Sequence, residues 1–173
     1  MKVKSVLKNV LVSVVMGSDS DLSVMTEATK VLEEFGIPHE LFLTSAHRTP
    51  ERTTKFAGGA AKRGVKIIIV GAGAAAHLAG VIASQTQLPV IGVPIDATAV
   101  HGLDALLSTV QMPGGIPVAT MAIGLAGAKN AALYAVRILA LEDKKISAKL
   151  NAYIKKMAQD VEKKQDSISC RKS

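Results

Sequence analysis

The sequence is poor in aromatic residues and in cysteine. It contains no tryptophan, three phenylalanines, two tyrosines and one cysteine among 173 residues. Proteins that bind single-stranded nucleic acid stack its bases on aromatic side chains, so this shortage argues against such a role. A single cysteine, Cys170, cannot form an internal disulfide, and we therefore expect a reducing, cytoplasmic location.

Most of the chain also lacks an excess of charge of either sign. The formal net charge is +7, but residues 10–141 carry equal numbers of basic and acidic side chains. The basic excess lies in residues 1–9 and 142–173, with almost no aromatic residue beside it. This distribution predicts no nucleic-acid partner, and it leaves the reason for the basic ends open.

No apolar run has the form of a membrane-spanning helix. Residues 10–16 follow several lysines, as in a secretion signal, but they contain Ser13 and do not lead to a small-residue cleavage site. Residues 67–83 are nearly all apolar, but glycines and His77 interrupt them. We therefore expect no membrane partner and interpret residues 10–16 as the first buried strand.

Several motifs of catalysis are absent as well. There is neither a Walker phosphate-binding loop nor a Gly-x-Ser-x-Gly nucleophile elbow, which predicts a reaction without ATP and without an acyl-enzyme. The His, Cys, Asp and Glu residues show no metal-site spacing. We therefore predict that the protein uses no metal and no cofactor.

What the sequence does contain is a regular alternation of strand-like and helix-like segments. This alternation predicts an α/β protein with helices on both faces of a parallel sheet. We expect one domain spanning residues 1–173, with a core of about residues 10–141. A lysine-rich last helix, about residues 143–164, carries an apolar stripe that we expect to pack on the domain or on a neighbouring subunit. The predicted strands are residues 10–16, 38–44, 65–70, 88–93 and 117–123, and the earlier helices are residues 22–35, 49–63, a segment ending near 86, 102–111 and 126–141.

The most informative loop is Ser-Ala-His-Arg-Thr-Pro at residues 45–50. It lies where the second strand ends and a helix begins, with Thr49 as the cap and Pro50 in the first helical position. Ligands of open α/β sheets bind at the carboxyl ends of strands. Histidine is a near-neutral acid or base and arginine binds phosphate with two hydrogen bonds, so His47 and Arg48 predict chemistry on a phosphorylated substrate. The alternative is a solvated His-Arg pair on a surface loop.

Two further loops follow predicted strands. Residues 17–21, Gly-Ser-Asp-Ser-Asp, open the first helix, where backbone amides bind phosphate and Asp21 could accept hydrogen bonds from a ribose. Helix capping by Asp19 or Ser20 is the alternative. Residues 71–77 match a dinucleotide-binding glycine pattern but follow the third strand, so their small side chains instead suggest close approach to a compact ligand. There His77 faces the pocket or caps the next helix.

Taken together, these loops resemble the PurE family, the N5-carboxyaminoimidazole ribonucleotide mutases of purine biosynthesis. The resemblance covers roughly residues 10–141 and includes residues 17–21, 45–50 and 71–80. It extends to Gly-Leu-Asp at residues 102–104 running on to Gln-Met-Pro at 111–113. It implies a flavodoxin-like three-layer αβα sandwich with a five-stranded parallel sheet, and a homo-octamer with sites at subunit contacts.

The resemblance also implies roles for individual residues. His47 would be the acid/base, and Asp21 would bind the ribose. The reaction would move a carboxylate from the exocyclic nitrogen of an aminoimidazole ribonucleotide to the adjacent ring carbon, with a closed pocket retaining the CO2. The phosphate would be held by Ser18, Ser45 and Arg48, and the imidazole with its carboxylate by the loop that contains Gly71, Ala72, Gly73, His77 and Leu78.

The sequence departs from the family at a few positions. Ala74 and Ala79 stand where the family usually has glycine and proline, and His101 stands where it has a small residue. Two other functions stay open. One is direct carboxylation of aminoimidazole ribonucleotide by CO2, as in the related animal-type class, which typically has Lys at the position of Arg48. The other is a nucleotide-binding module without catalysis.

Overall fold

A computed structural model of the chain describes residues 10–169, apart from the side chains of residues 166 and 169. The basic residues 1–9 and Cys170 lie outside this range. The structure forms two compact units, the first running to Ala135 and the second beginning at Val136. Its strands and helices are β1 Val12–Met16, α1 Leu22–Phe35, β2 His39–Leu43, α2 Pro50–Ala60, β3 Ile67–Gly73, α3 Leu78–Ala83, β4 Val90–Ile95, α4 Leu103–Val110, β5 Ala119–Thr120, α5 Leu125–Leu139 and α6 Lys144–Ser169.

The five strands form one parallel sheet in the order β2-β1-β3-β4-β5. This is the flavodoxin-like order, in which the chain direction along the sheet reverses between β1 and β3. The predicted α/β fold with a five-stranded parallel sheet is therefore confirmed. The reversal matters for function because it leaves a crevice at the carboxyl ends of β1 and β3.

The central strands are buried on both faces. All five residues of β1 are buried, and so are residues 67–71 of β3 and all six of β4. Continuous burial of this kind requires helices on both sides of a parallel sheet, as the apolar runs in the sequence predict. Apart from Phe35 and Phe56, the buried core in the described range is aliphatic, with Met25 and Met16 among its larger side chains.

Two glycines end helices where the sequence predicts. Gly36 follows α1 with a φ of 69°, and Gly64 follows a short 3-10 turn after α2 with a φ of 94°. Both backbones are left-handed, a conformation that glycine adopts without a steric penalty. The chain can therefore reverse at both points and enter β2 and β3.

Some boundaries differ from prediction for physical reasons. The third strand runs on to Gly73, through the segment expected to be a loop, because Ala72 and Gly73 pair with Pro94 and Ile95 of β4. The fifth strand is shorter than residues 117–123, because only Ala119 and Thr120 pair with β4. Pro117, which has no N–H to donate, lies before the paired residues. The last helix extends to Ser169 rather than to residue 164.

Candidate active site

Three loops meet at the carboxyl ends of β2, β1 and β3, which are neighbours in the sheet. Backbone hydrogen bonds continue past the strand ends and fix the loops to one another. The N–H of Thr44 donates to the carbonyl of Met16 at 3.0 Å, and the N–H of Gly17 donates to the carbonyl of Gly71 at 3.3 Å. The start of each loop is therefore held by the sheet.

The first loop is closed by Ser18 and Asp21. The backbone N–H of Ser18 donates to the Asp21 carboxylate at 3.1 Å, and the Ser18 hydroxyl accepts from the N–H of Ser20 at 3.4 Å. This capping box starts a 3-10 turn at residue 19. The loop therefore does cap the turn, as the alternative interpretation holds, but through Ser18 and Asp21 and not through Asp19 or Ser20. Burial raises the pKa of the Asp21 carboxyl, although hydrogen bonds from the backbone of Ser18 and Gly17 act in the opposite direction.

The second loop is held by hydroxyl groups. The Ser45 hydroxyl accepts from the N–H of Arg48 at 3.2 Å, and the Thr49 hydroxyl accepts from the N–H of Ser45 at 3.0 Å. Thr49 is the N-cap residue of α2 and Pro50 is its first residue, as predicted, but the Thr49 hydroxyl bonds to the loop and not to the helix. The Arg48 guanidinium donates to the carbonyl of Gly17 at 3.1 Å, which joins the second loop to the first.

The third loop needs small residues for close packing. A Cβ on Gly71 would overlap the side chain of Met25, and a Cβ on Gly73 would overlap Ala97. Ala74 has a φ of 52°, a left-handed conformation that is rare for any residue other than glycine, asparagine or aspartate. Gly71 thus lets Met25 of α1 pack on β3, and Gly73 lets the chain pass close to Ala97, just after β4. Ala74 turns the chain at some conformational cost.

The second and third loops meet through two histidines. Nε2 of His47 lies 3.0 Å from Nδ1 of His77, and the two rings are nearly perpendicular at 88°. His77 therefore faces the other loop, and its side chain makes no capping bond to α3. Of the two sequence interpretations for His77, the structure favours the one in which it faces the pocket.

The three loops enclose one cavity of about 360 Å³. Its size is in the range of small-molecule sites. Nine of the ten site residues expected from the sequence line it, whereas Gly71 lies beneath it in β3. Ala97 also lines it and was not anticipated, although its position just after β4 follows from the strand-end rule. The cavity is lined by Gly17, Ser18, Ser20, Asp21, Ser45, Ala46, His47, Arg48, Ala72, Gly73, Ala74, Ala75, His77, Leu78 and Ala97.

Two positions that depart from the family lie outside this lining. The backbone of His101 has a φ of 53°. Its Nδ1 lies 3.5 Å from a carboxylate oxygen of Asp96. It is highly exposed and does not line the cavity. Ala79 is 2% exposed and is the second residue of α3, directly after Leu78, which does line the cavity.

The groups in the cavity suit an anionic ligand and proton transfer. Arg48 supplies a permanent positive charge, serine hydroxyls and turn amides supply neutral donors, and the histidine pair supplies an acid and a base. Within residues 10–169, no group of three or more His, Cys, Asp or Glu side chains is placed to hold a metal ion. None of the helices in that range is long and apolar enough to cross a membrane.

The sheet order and this cavity place the chain among flavodoxin-like α/β proteins with a ligand site at the carboxyl edge of the sheet. The sequence pattern of the AIRC family, described as AIR carboxylase, matches residues 11–160. The chain belongs to this family, the PurE family, as its loops indicate.

Named relatives and a solved structure agree with this assignment. The chain is 60% identical over 154 residues to the N5-carboxyaminoimidazole ribonucleotide mutase of Pyrococcus horikoshii, covering 89% of this chain and 86% of that protein. It is 52% identical over 150 residues to the protein of the same name from Thermotoga maritima, covering 87% of this chain and 86% of that protein. The crystal structure of Treponema denticola PurE superposes with a TM-score of 0.82 at 30% identity, covering 91% of this chain and 97% of that one.

Proposed function

We propose that the protein is an N5-carboxyaminoimidazole ribonucleotide mutase. It moves the carboxylate of its substrate from the exocyclic nitrogen to the adjacent ring carbon, giving 4-carboxy-5-aminoimidazole ribonucleotide for purine biosynthesis. The relatives carry this name at 60% and 52% identity. The structural observation that supports the proposal is the 3.0 Å contact of His47 with His77 on the wall of a cavity that also holds Arg48.

In the proposed mechanism, His47 carries one proton through the reaction. The protonated imidazole gives its proton to the carbamate nitrogen, and the nitrogen–carbon bond breaks to release CO2 and the neutral amine. The electron-rich ring carbon then attacks CO2 and forms a carbon–carbon bond. His47 removes the proton from that carbon, which restores the aromatic ring and the imidazolium. No proton is gained or lost over the cycle, and no ATP is used.

The other residues bind and enclose the substrate. The 5′-phosphate accepts hydrogen bonds from Ser18, Ser45 and Arg48, and the ribose hydroxyls donate to Asp21. The segment from Ala72 to Leu78 covers the imidazole and keeps CO2 close to the ring carbon between the two steps. Small side chains suit this role because they let the backbone approach a flat ring.

Direct carboxylation of aminoimidazole ribonucleotide is the second candidate. The family description, AIR carboxylase, favours it. Arg48 supports the mutase, since the animal-type carboxylases typically have Lys at its position. They also typically have an Arg-Ser-Asn sequence in the third loop, which residues 71–77 of this chain lack.

A labelling experiment separates the two reactions. The purified protein is given N5-carboxyaminoimidazole ribonucleotide with a ¹³C carboxylate in unlabelled bicarbonate buffer, and the product is analysed by mass spectrometry. A mutase retains the label in its product. A parallel incubation with aminoimidazole ribonucleotide and ¹³C-bicarbonate should form product far more slowly. Faster product formation in the second incubation would assign the carboxylase activity, and no product in either would refute the proposal.

We further propose a cytoplasmic homo-octamer. The family resemblance implies the octamer, and α6 adds a physical reason. Its residues Ile154, Met157 and Val161 lie three or four positions apart, on one helix face, and are 38%, 43% and 67% exposed in the single chain. Multi-angle light scattering at micromolar concentration should give the mass of eight chains, and a monomer would overturn this proposal.

A further inference from the structure

A second cavity of about 410 Å³ adjoins the first on the side of α2. The two cavities share Gly17, Ser18, Ser45 and Arg48. The shared residues include all three to which the proposed function gives the phosphate, so the phosphate lies where the cavities join. Beyond the junction, the second cavity is lined by one further cation, Arg52.

Arg52 lies against a pair of stacked aromatic rings, those of Phe42 and Phe56. Its guanidinium carbon lies 4.9 Å from the centre of the Phe42 ring. Phe42 stacks in turn on Phe56, with ring centres 4.4 Å apart and planes at 19°. Phe56 is 5% exposed and belongs to the core, and the partly buried Phe42 packs against that core. A cation over an aromatic face is attracted to it and loses part of its freedom, so Arg52 is placed at the cavity wall before any ligand binds.

Two carboxylates lie near this junction, but neither forms an ion pair with its arginines. Among residues 10–169, neither Arg48 nor Arg52 forms an ion pair with an acidic side chain. Asp19 also lines the second cavity, but its carboxylate accepts from the Ser18 hydroxyl and the Ser20 N–H, both at 3.1 Å. A third cavity holds Glu51 beside both arginines. Two fixed cations at the junction, with Arg48 already donating to the carbonyl of Gly17, suit a dianion.

We propose that Arg52 is a second phosphate-binding residue, which contacts the face of the substrate's 5′-phosphate that Arg48 leaves open. This inference rests on the proposed function, because it assumes a phosphorylated substrate in the first cavity. Arg52 takes no part in the carboxyl transfer, so it acts on the capture and holding of substrate. Its side chain also adds to the positive field that attracts an anionic substrate at low ionic strength.

Two substitutions by side chains of similar length separate the effect of the Arg52 charge from that of its packing on Phe42. Arg52→Met keeps an unbranched side chain over Phe42 but removes the charge, and Arg52→Lys keeps both. Lys55→Met is the matched control, because Lys55 is exposed on the same helix, lines none of the three cavities and carries the same charge. Steady-state kinetics with N5-carboxyaminoimidazole ribonucleotide are measured at several salt concentrations.

The expected result is specific to KM. Arg52→Met should raise KM by about tenfold, the effect of losing one charge-assisted hydrogen bond, and leave kcat within about twofold. Its kcat/KM should also fall less steeply with salt than that of the unsubstituted protein. Arg52→Lys should recover most of the affinity, and Lys55→Met should leave KM unchanged. An unchanged KM in Arg52→Met, or an equal rise in Lys55→Met, would overturn the proposal.

Failure of the proposed function would be recognised separately. If the unsubstituted protein does not convert the substrate, binding of ribose 5-phosphate is measured by calorimetry in its place. Arg52→Met should then weaken binding relative to Lys55→Met, and equal affinities of the two variants would refute a phosphate role for Arg52.

Discussion

His47 and His77 share a single hydrogen bond at the carboxyl end of β1, where Nε2 of His47 lies 3.0 Å from Nδ1 of His77. Such a bond requires a proton on one of these nitrogens and a lone pair on the other. The contact therefore fixes the orientation of both rings and leaves the remaining nitrogen of each ring for other partners. In the proposed mechanism the two histidines consequently have unequal roles, His47 as the proton carrier and His77 as the residue that orients it.

We predict that His47→Asn abolishes most turnover but not binding. Asparagine can make a hydrogen bond but cannot carry a proton through the cycle. General acid–base catalysis contributes about 10²–10⁴-fold, so kcat should fall by at least that lower factor. Substrate affinity, measured by calorimetry, should change little. Near-normal turnover would move the proton-carrying role to another residue, and His77 is the first candidate.

The orienting role of His77 predicts strong non-additivity. His77→Asn should lower kcat by about fivefold, equivalent to losing the roughly 1 kcal/mol of one hydrogen bond. Once His47 has been replaced, there is no imidazole left to orient. The double variant should therefore have the same kcat as His47→Asn alone. Multiplied effects in the double variant would show that His77 acts on the substrate independently.

Asp21 should make the protein less stable as the pH rises. Burial raises the pKa of its carboxyl above the ordinary value of 3.8, so the folded state holds the proton more tightly than the unfolded state. Stability from this group is thus present at low pH and lost as the pH passes through the raised pKa. Asp21→Asn should therefore raise the urea midpoint at pH 7 by more than it does near pH 4. If Asp21→Asn instead lowered the midpoint at pH 7 relative to the unsubstituted protein, the hydrogen bond from the Ser18 N–H would depend on the negative charge of Asp21.

Ala74 offers a test of backbone strain beside the cavity. Its φ of 52° costs a non-glycine residue roughly 1–2 kcal/mol, while glycine loses about 0.5–1 kcal/mol in chain entropy. Ala74→Gly should therefore stabilise the protein by up to about 1 kcal/mol in urea unfolding. Ala75→Gly is the control, because Ala75 is not among the residues with positive φ, and it should destabilise by a similar amount. Equal destabilisation by both substitutions would contradict the strain.

Replacing either glycine of the pair in α2, Gly58 or Gly59, by alanine should make the protein more stable. A Cβ on Gly58 or Gly59 would meet no atom within 4 Å, and neither residue has a positive φ. Alanine is favoured over glycine in a helix by about 1 kcal/mol, so each Gly→Ala change should stabilise by up to that amount. Urea unfolding is compared at equal protein concentration, since subunit association also contributes to stability. A loss of stability would indicate that another subunit packs closely against this side of α2.

The alternation of elements was predictable because it depends on local signals. Apolar β-branched runs mark the buried strands, and Gly36 and Gly64 mark helix ends through a backbone that only glycine adopts freely. The extension of β3 to Gly73 was not predictable, since it depends on pairing with Pro94 and Ile95 of another strand. Glycine is a poor strand former by itself, so the local signal at this position pointed to a loop.

The candidate site could be predicted in part for the same reason. The strand-end rule brings Ser18, His47 and His77 to one edge of the sheet without knowledge of their contacts. It does not say that His47 touches His77, 30 positions away, because that contact depends on side-chain rotamers and on strand register. Arg52, on the wall of the second cavity, could not be singled out because one arginine in the first turn of a helix has no sequence signature of its own.

The register of the sheet has a consequence for substitutions far from the cavity. The loops that carry His47 and His77 leave β2 and β3, which flank β1 and so lie about two strand spacings, or roughly 10 Å, apart. A slip of one residue along either strand would displace its loop by about 3.3 Å, more than the length of the bond between the two imidazoles. Mutations at Val14 or Ile69 that disturb the pairing of β1 with β3 can therefore abolish activity while every residue that lines the cavity is unchanged.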